Sequence, residues 1–317
     1  MSNNIKFAVV SDNSSQPSYY CEGGRYINYS DDEDITHTDL PYTSFWTFPE
    51  LFDGHYIDLN SPWGLYPKED FDLIFAAIEC DKKHLYRLRK LYPNAVIIGM
   101  YKEYWNNNPR VRNYIIENTD AYTHPYWNTP EDIFKSLGCI VPKKYCVISQ
   151  PVNHKTLQKK YKREKKSTIF DYNKKIDRRM GRNNNFVIKK ILESGVKLKP
   201  VYYDGPRGLQ NFIDAWSDSK YMLSTDGFKM GGVQSVQCTV LKTIMVGGSN
   251  DSHRVLFPEL VGTDVDFLVS KIIQLESDSE YRKKVRDYSY KMYKKCFSHE
   301  SVRGGILKIY GEIKNGK

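Results

Sequence analysis

Short apolar runs alternate with longer helical segments along most of the chain, and this alternation constrains the fold more than any other feature. The segments IKFAVVSD (residues 5–12), FDLIFAAIE (71–79) and NAVIIGMY (94–101) are three such runs. Between the last two, DKKHLYRLRKLYP (81–93) has leucines near helical spacing and ends at a proline. Strands that alternate with helices predict an α/β protein.

The same alternation continues to residue 153 and then starts again. In the first half it predicts helices over 109–119 and 129–138 and a strand with its exit loop over 120–126, and YCVISQPVN (145–153) leads out of the first domain. In the second half it predicts strands over 167–173, 196–204, 220–226 and 242–248, with helices over 183–194, 208–218, 232–240 and 279–297. A chain of 317 residues has room for two domains. We therefore expect Rossmann-like domains over 1–154 and 155–300, and a C-terminal helix or tail over 301–317.

Positive charge is concentrated at the junction of the two halves. The formal net charge is +9, and residues 155–182 carry twelve Lys and Arg against three acidic residues. Residues 1–154 are net negative, at −6, and residues 183–317 are net positive, at +6. Such a basic stretch favours an anionic partner, either a nucleotide diphosphate, a nucleic acid or an anionic membrane surface. A solvated lysine-rich linker is the alternative.

Composition and missing motifs exclude several classes. Six scattered cysteines without C-x-x-C spacing disfavour a zinc site and a disulfide framework, and indicate a reduced compartment. No apolar run reaches about 20 residues, and the first residues do not resemble a signal peptide, so we expect a soluble cytoplasmic protein. Walker, G-x-S-x-G and G-x-G-x-x-G motifs are absent from the sequence, which disfavours phosphoryl transfer and serine hydrolysis.

The most informative segment is STDGFKMGGVQSVQCTVLKTIMVGG, residues 224–248. A strand ends near Asp226, and the next helix is predicted to begin near Gly231 and Gly232. Small residues at a helix start let an anion approach free backbone N–H groups, so this segment could bind a phosphate. Asp226 and Gln234 could bracket such a ligand, with the carboxylate accepting hydrogen bonds from sugar hydroxyls. A glycine-rich loop without a ligand is the alternative.

The residues DGFKMGGVQ resemble the donor-site motif of retaining, family-4-type glycosyltransferases with the GT-B fold. In that motif Glu-Gly-Phe-Gly opens a segment that a second Glu closes after seven intervening residues. Asp226, Gly227 and Phe228 match the opening, and Gln234 takes the place of the second Glu. The resemblance covers residues 167–300, and the first domain by strand order only. It implies two Rossmann-like domains facing across a cleft, with the acceptor on the first domain and the nucleotide-sugar on the second.

The resemblance also assigns roles to individual residues. Asp226 would lie near the transferred sugar, and Gln234 would bind the ribose hydroxyls. In the family, basic residues after the first strand of the second domain bind the donor diphosphate. Here Lys174, Arg178 and Arg182 follow STIFDYN, and we rank the two arginines first. Solvation of the loop is the alternative for some of these side chains.

Candidates in the first domain are less well defined. Gly23 and Gly24 in CEGGRY could meet the donor phosphate or form an ordinary turn. Where the family places a His near the reacting sugar, this chain has GMYKEYW, so Glu103 is a candidate general base, and His124 follows one strand later. A solvated Glu103 and a structural His124 are the alternatives. This departure leaves retention or inversion of configuration open.

These observations predict a glycosyltransferase that uses a nucleotide-sugar donor, with UDP-sugar favoured and no obligatory metal. One candidate acceptor is DNA carrying hydroxymethylated pyrimidines, as in the phage DNA glucosyltransferases that share this architecture. A cell-surface glycan or glycolipid is the alternative, with the basic stretch making peripheral contact with a membrane. A third hypothesis is a non-catalytic nucleotide-sugar or nucleic-acid binding module, because both motif acids are replaced. No stable protein partner is inferred. Asp264 and Asp266 have the D-x-D form of a metal site, but we interpret them as a loop and helix cap.

Overall fold

In the computed structural model the chain is described over the following residues: 5–12, 18–22, 25–29, 47–60, 67–100, 108–124, 130–136, 138–152, 154–161, 164–171, 184–202, 209–225 and 233–316. Contacts divide the chain into two compact units, one of Met1–Pro151 with His299–Lys317 and the other of Val152–Ser298. The last segment, expected as a C-terminal helix or tail, is thus grouped with the first unit.

The strands of the described residues form two sheets. The first sheet contains β1 (Phe7–Ser11), β2 (Tyr19–Glu22), β3 (Arg25–Asn28), β4 (His55–Asp58), β5 (Leu73–Ala77), β6 (Val96–Met100), β7 (Ala121–His124) and β8 (Tyr145–Val147). Its order is β3-β2-β4-β1-β5-β6-β7-β8. The second sheet contains β9 (Lys166–Asp171), β10 (Lys199–Tyr202), β11 (Ser219–Ser224) and β12 (Ile244–Gly247), in the order β10-β9-β11-β12.

The helices connect these strands or follow the last one. They are α1 (Lys83–Leu91), α2 (Pro109–Asn118), α3 (Pro130–Ser136), α4 (His154–Tyr161), α5 (Asn184–Glu193), α6 (Leu209–Trp216), α7 (Val233–Val240), α8 (Asp251–Leu256), α9 (Val265–Ser277), α10 (Ser279–Cys296) and α11 (His299–Asn315). Short 3-10 turns occur at Pro49–Leu51 and Pro258–Leu260.

The first unit has a mainly parallel sheet with an antiparallel edge. Strands β4, β1, β5, β6, β7 and β8 pair in parallel, and β2 is antiparallel to both β3 and β4. Every residue of β1, β5 and β6 is buried, as expected for parallel strands covered on both faces. Helix α11 belongs to this core, because Val302, Ile306 and Ile313 are buried in the same cluster as Phe7 and Phe75.

The second unit has an entirely parallel sheet among its described strands. Strand β9 lies between β10 and β11, and β12 pairs with β11 at the edge. Three helices, α7, α8 and α9, pack against the long helix α10. The carboxyl ends of β9, β11 and β12 therefore lie at one edge of the sheet, which is where α/β proteins place their ligands.

The predicted α/β class is confirmed, and each strand and helix predicted between residues 5 and 297 is present within a few residues of its expected bounds. The spacing of Tyr281, Val285, Tyr288, Met292 and Cys296 predicts a packing face on α10, and the structure bears this out in part. Val285 is buried, but 43% of Tyr288 is exposed, and the buried residues of the helix are Val285, Ser289 and Tyr293. The small Ser289 lies between two larger buried residues at helical spacing, so a count of apolar residues alone misses this face.

Candidate functional site

The glycine-rich motif is framed by a strand and a helix. Strand β11 ends at Ser224, two residues before Asp226, and α7 begins at Val233, directly after Gly231 and Gly232. The predicted strand before the motif and the predicted helix after it are thus confirmed. Asp226, Gly231 and Gly232 themselves lie outside the described residues.

The first turn of α7 is fixed by buried polar contacts. Gln234 is half-buried, and the next residue, Ser235, is fully buried. The Ser235 hydroxyl donates to Asn250 Oδ1 at 3.4 Å and lies 3.3 Å from Met245 Sδ. Asn250 in turn caps α8, because its Oδ1 accepts from the His253 N–H at 2.8 Å. The starts of α7 and α8 are therefore held together beside Gln234.

The end of β12 approaches the end of β11 too closely for any side chain. Gly247 has a φ of +87°, and Gly248 has a φ of +79°. A Cβ atom at Gly247 would lie 2.0 Å from the backbone oxygen of Ser224. Only glycine allows both the positive φ and this approach, so KTIMVGG ends in a glycine pair for a steric reason.

A buried carboxylate lies at the end of the central strand. Asp171 is the last residue of β9 and is only 2% exposed. In register it lies opposite Tyr202 of β10 and Leu223 of β11. Burial raises the pKa of Tyr202, and the negative charge of Asp171 raises it further. The sequence analysis did not single out Asp171, although it ends the apolar run STIFD.

The basic segment with Lys174, Arg178 and Arg182 lies between a strand and a helix in the sequence. Strand β9 ends three residues before Lys174, and α5 begins at Asn184, two residues after Arg182. Lys174, Arg178 and Arg182 lie outside the described residues, so their assignment to phosphate remains a prediction.

The carboxyl edge of the first sheet carries a buried acid that sequence reasoning did not select. Asp12 follows β1 and is 4% exposed. Its Oδ1 accepts from the Glu79 N–H at 2.8 Å, and its Oδ2 accepts from the N–H groups of Cys80 at 2.8 Å and Asp81 at 3.0 Å. Three backbone donors engage both oxygens of this carboxylate, so Asp12 positions the turn after β5.

Among the first-unit candidates, only the backbone of His124 is described. His124 is the last residue of β7 and lies opposite Val147 of β8 in register. Strand β6 ends three residues before Glu103 and pairs in parallel with β7, so both strands end at one edge of the sheet. Glu103, Gly23 and Gly24 lie outside the described residues, as does the side chain of His124.

The D-x-D pair serves the structure of α9, as the cap interpretation predicted. Asp264 Oδ1 accepts from the Phe267 N–H at 2.8 Å and caps the helix. Asp266 is exposed and forms an ion pair with Lys190 at 2.8 Å. Within the described ranges, His, Cys, Asp and Glu form no cluster of three that could hold a metal ion.

Solved structures with this fold include several sugar-transferring proteins. The chain is similar to a sucrose-phosphate synthase from Thermosynechococcus elongatus, with 12% identity over 98% of this chain and 100% of that chain and a TM-score of 0.57. It is similar to HepE of Anabaena in complex with UDP and glucose, with 11% identity over 97% and 99% and a TM-score of 0.55. An alpha-glucosyltransferase in complex with UDP and a 13-mer DNA containing an HMU base has 12% identity over 97% and 99% and a TM-score of 0.54.

Together these matches show that the chain has the fold of GT-B glycosyltransferases, as the motif resemblance implied. At this level of identity they establish the fold alone. No protein-family model matches the sequence, and a search of curated proteins found no match either. None of the helices in the described part of the chain is long and apolar enough to cross a membrane.

Proposed function

We propose that this protein is a glycosyltransferase that moves a sugar from a nucleotide-sugar, preferably a UDP-sugar, to a hydroxyl acceptor. The observation that supports the proposal is the position of the motif between the end of β11 and the start of α7. In a fold shared with structures that hold UDP, the segment with Asp226 begins at the carboxyl end of a parallel strand and ends at the first turn of a helix. That is the usual place for a nucleotide phosphate in an α/β protein.

Each part of the donor has a proposed partner on the second unit. Asp226 would contact the transferred sugar, and Gln234 would bind the ribose hydroxyls. The diphosphate would be bound by N–H groups near Gly231 and Gly232 and by the loop with Lys174, Arg178 and Arg182. Positive groups placed around a departing diphosphate stabilise the charge that develops on it, so no metal is required.

The first unit would supply the acceptor side and the groups near the reacting sugar. His124 ends β7, and the adjacent strand β6, which ends three residues before Glu103 in the sequence, ends at the same edge of the first sheet. Either residue could act as a general base for the acceptor hydroxyl. Gly23 and Gly24 are proposed to approach the donor phosphate.

DNA with hydroxymethylated pyrimidines is the acceptor we propose first. Its support is the similarity to an alpha-glucosyltransferase solved with UDP and DNA that contains an HMU base. The net charge of +9 is compatible with DNA, whereas the negative first half counts against it. Glycans or glycolipids at a membrane surface form the alternative acceptor class.

Donor binding is tested by thermal shift with UDP-, GDP-, ADP- and dTDP-sugars. A ligand at a hundred times its Kd should stabilise the protein by about 2.7 kcal/mol. We expect a shift with UDP-sugars that is lost in R178Q/R182Q and retained in K284Q/K291Q, which removes the same charge from exposed positions of α10. If no nucleotide-sugar shifts the protein, or if both variants lose the shift equally, the proposed donor site is wrong.

Turnover is then measured as sugar transferred from the preferred donor to three acceptors. These are DNA with hydroxymethylated pyrimidines, the same DNA without the hydroxymethyl groups, and glycolipid vesicles. Transfer to the first alone supports the DNA acceptor, and transfer to the vesicles alone supports the membrane alternative. Donor binding without transfer to any acceptor would favour a non-catalytic nucleotide-sugar module, which the replacement of both motif acids by Asp226 and Gln234 motivates.

A further inference from the structure

A basic cavity lies at the amino ends of the strands of the second sheet, opposite to the edge where β11 and β12 end. It has a volume of about 650 Å³. A smaller cavity of about 220 Å³ lies beside it, and Lys165, Lys242 and Arg286 line both. Lys165 directly precedes β9, and Thr243 directly precedes β12, so this amino-edge cavity is at the amino ends of the parallel strands. The motif follows their carboxyl ends.

Positive charge in the amino-edge cavity exceeds what its surroundings neutralise. Six cationic side chains line the two cavities together: Lys165, Lys220, Lys242, Arg282, Lys283 and Arg286. Asp287 is the lining carboxylate, and Glu276 forms ion pairs with Lys220 and Arg282. Asp218 lies close by but is paired with Lys166 at 2.5 Å.

Helix ends do not account for the remaining charge. The C-termini of α6 and α7 face this edge, and each is equivalent to about half a negative charge. Together with the two carboxylates they offset about three of the six cations. Gln158 already donates to the Val240 carbonyl at 3.2 Å, so part of the α7 terminus is satisfied without a lysine. An excess of positive charge is left for a ligand.

Lys165 is held in place as a ligand-binding ammonium group would be. Its Nζ donates to the Ser217 carbonyl at 2.5 Å and to Thr243 Oγ1 at 2.7 Å. An ammonium group has three donors, so one is left for a third partner. Burial lowers the pKa of Lys165 to about 8, which keeps most of it protonated at neutral pH.

Lys242 occupies a backbone position that normally selects glycine. It follows the last turn of α7 with a φ of +61°, and its N–H donates to the Thr239 carbonyl at 3.2 Å. Residues other than glycine, asparagine and aspartate pay a conformational cost in this left-handed region. The exposed Lys242 adds positive charge to the cavity at a position where glycine would have a lower conformational cost.

We propose that the amino-edge cavity binds a small ligand with two or more phosphate groups, at a site separate from the nucleotide-sugar site. Several fixed cations around one concave space match closely spaced phosphates better than a single carboxylate. The volume of about 650 Å³ is that of a small-molecule site. A nucleic-acid backbone would need an extended basic strip, so we favour the small ligand.

Calorimetric titration with inorganic tripolyphosphate and with ATP tests the proposal. In about 0.15 M salt, we expect K283Q/R286Q to weaken both ligands by about tenfold or more, and K284Q/K291Q to change them by less than about twofold. The control removes the same charge from the same helix, but Lys284 lines a different, apolar pocket with Leu256 and Tyr288. Equal affinity for the two ligands would mean that phosphate alone is recognised, and tighter ATP would identify a nucleotide.

A second variant separates ligand binding from stability. Lys242→Gly removes one charge and relieves the positive φ, so we expect weaker tripolyphosphate binding together with a higher Tm. If Lys242 had only a structural role, its replacement by glycine would not weaken binding of tripolyphosphate.

Three results would overturn the proposal. The first is an equal loss of binding in K283Q/R286Q and K284Q/K291Q. The second is a loss in R178Q/R182Q alone, which would assign the phosphate to the donor site. The third is duplex DNA binding that K283Q/R286Q weakens while tripolyphosphate does not bind, which would make this edge a nucleic-acid surface.

Discussion

The carboxylate of Asp12 accepts a 2.8 Å hydrogen bond from the backbone N–H of Cys80, and this contact ties the end of β1 to the turn after β5. The bonds from Glu79 and Asp81 complete the set. An acid at the end of the first strand is easily taken for a catalytic group. Here both carboxylate oxygens are engaged by backbone donors, which assigns Asp12 to the framework.

Replacing Asp12 with Asn should destabilise the first unit. An amide nitrogen would face backbone donors, and at least one buried N–H group would lose its acceptor, at a cost of about 2–3 kcal/mol. Urea unfolding of Asp12→Asn measures this loss. The exposed Asp70→Asn is the control and should change stability by less than about 0.5 kcal/mol. Equal stabilities for the two variants would contradict the role assigned to Asp12.

Gly247→Ala should disrupt the carboxyl edge of the second sheet. The new Cβ would lie 2.0 Å from the Ser224 oxygen, and backbone must move to relieve that contact. We expect a loss of about 3 kcal/mol or more. Gly138 has a φ of +65° but open space around it, so Gly138→Ala should cost only about 1 kcal/mol. Thermal unfolding compares Gly247→Ala, which has both crowding and backbone strain, with Gly138→Ala, which has backbone strain alone. Similar Tm values for the two variants would contradict the crowding at Gly247.

Acid should destabilise the second unit through His253. Burial lowers the pKa of His253 to about 4, below the value near 6.5 expected in the unfolded chain. The unfolded state therefore binds more protons between these values, and the free energy of unfolding falls as the pH is lowered from 6.5 towards 4. The loss attributable to His253 is about 2–3 kcal/mol by pH 4.5. Denaturant unfolding of the wild type and of His253→Gln at pH 7 and 4.5 isolates the contribution of His253. Equal losses of unfolding free energy in the two proteins would argue against this role of His253.

Gln234→Glu should strengthen donor binding if residue 234 contacts ribose hydroxyls. A carboxylate accepts stronger hydrogen bonds than an amide does, and a gain of about 1 kcal/mol corresponds to about fivefold in Kd. Calorimetric titration with UDP measures the change. Gln274→Glu adds the same charge at an exposed position of α9 and should leave the Kd for UDP unchanged. Unchanged or weaker binding by Gln234→Glu would place residue 234 away from the ribose.

The regular elements of both sheets could be predicted because their signals are local. The strands β1, β5 and β6 are continuous apolar runs, and Asn108 before Pro109 marks the start of α2, where its Oδ1 accepts from the Val111 N–H. The antiparallel edge of the first sheet was not predicted. Strands β2 (YYCE) and β4 (HYID) have only four residues each and no continuous apolar run. Their pairing depends on contacts distant in sequence, such as the stacked rings of Tyr19 and Tyr56.

The candidate site could be predicted only in outline. Residues 220–240 predict the order of strand, glycine-rich loop and helix, and this order locates the candidate site in the sequence. The packing around it is not local, because Ser235 contacts Asn250, and Gly247 contacts Ser224, only after β11 and β12 have paired. The amino-edge cavity was missed for the same reason: Lys165, Lys242 and Arg286 are far apart in sequence and share no motif.

Helix α11 makes the order of synthesis relevant to how the two units fold. The residues of the second unit are contiguous, from Val152 to Ser298, so all of them are synthesised after the sheet of the first unit and before α11. The first unit must wait, because Val302, Ile306 and Ile313 complete its core. During translation the first sheet therefore has an apolar face without its helix until the 17 residues of α11 emerge. The part of the chain that is made first therefore needs a helix that is made after the whole second unit.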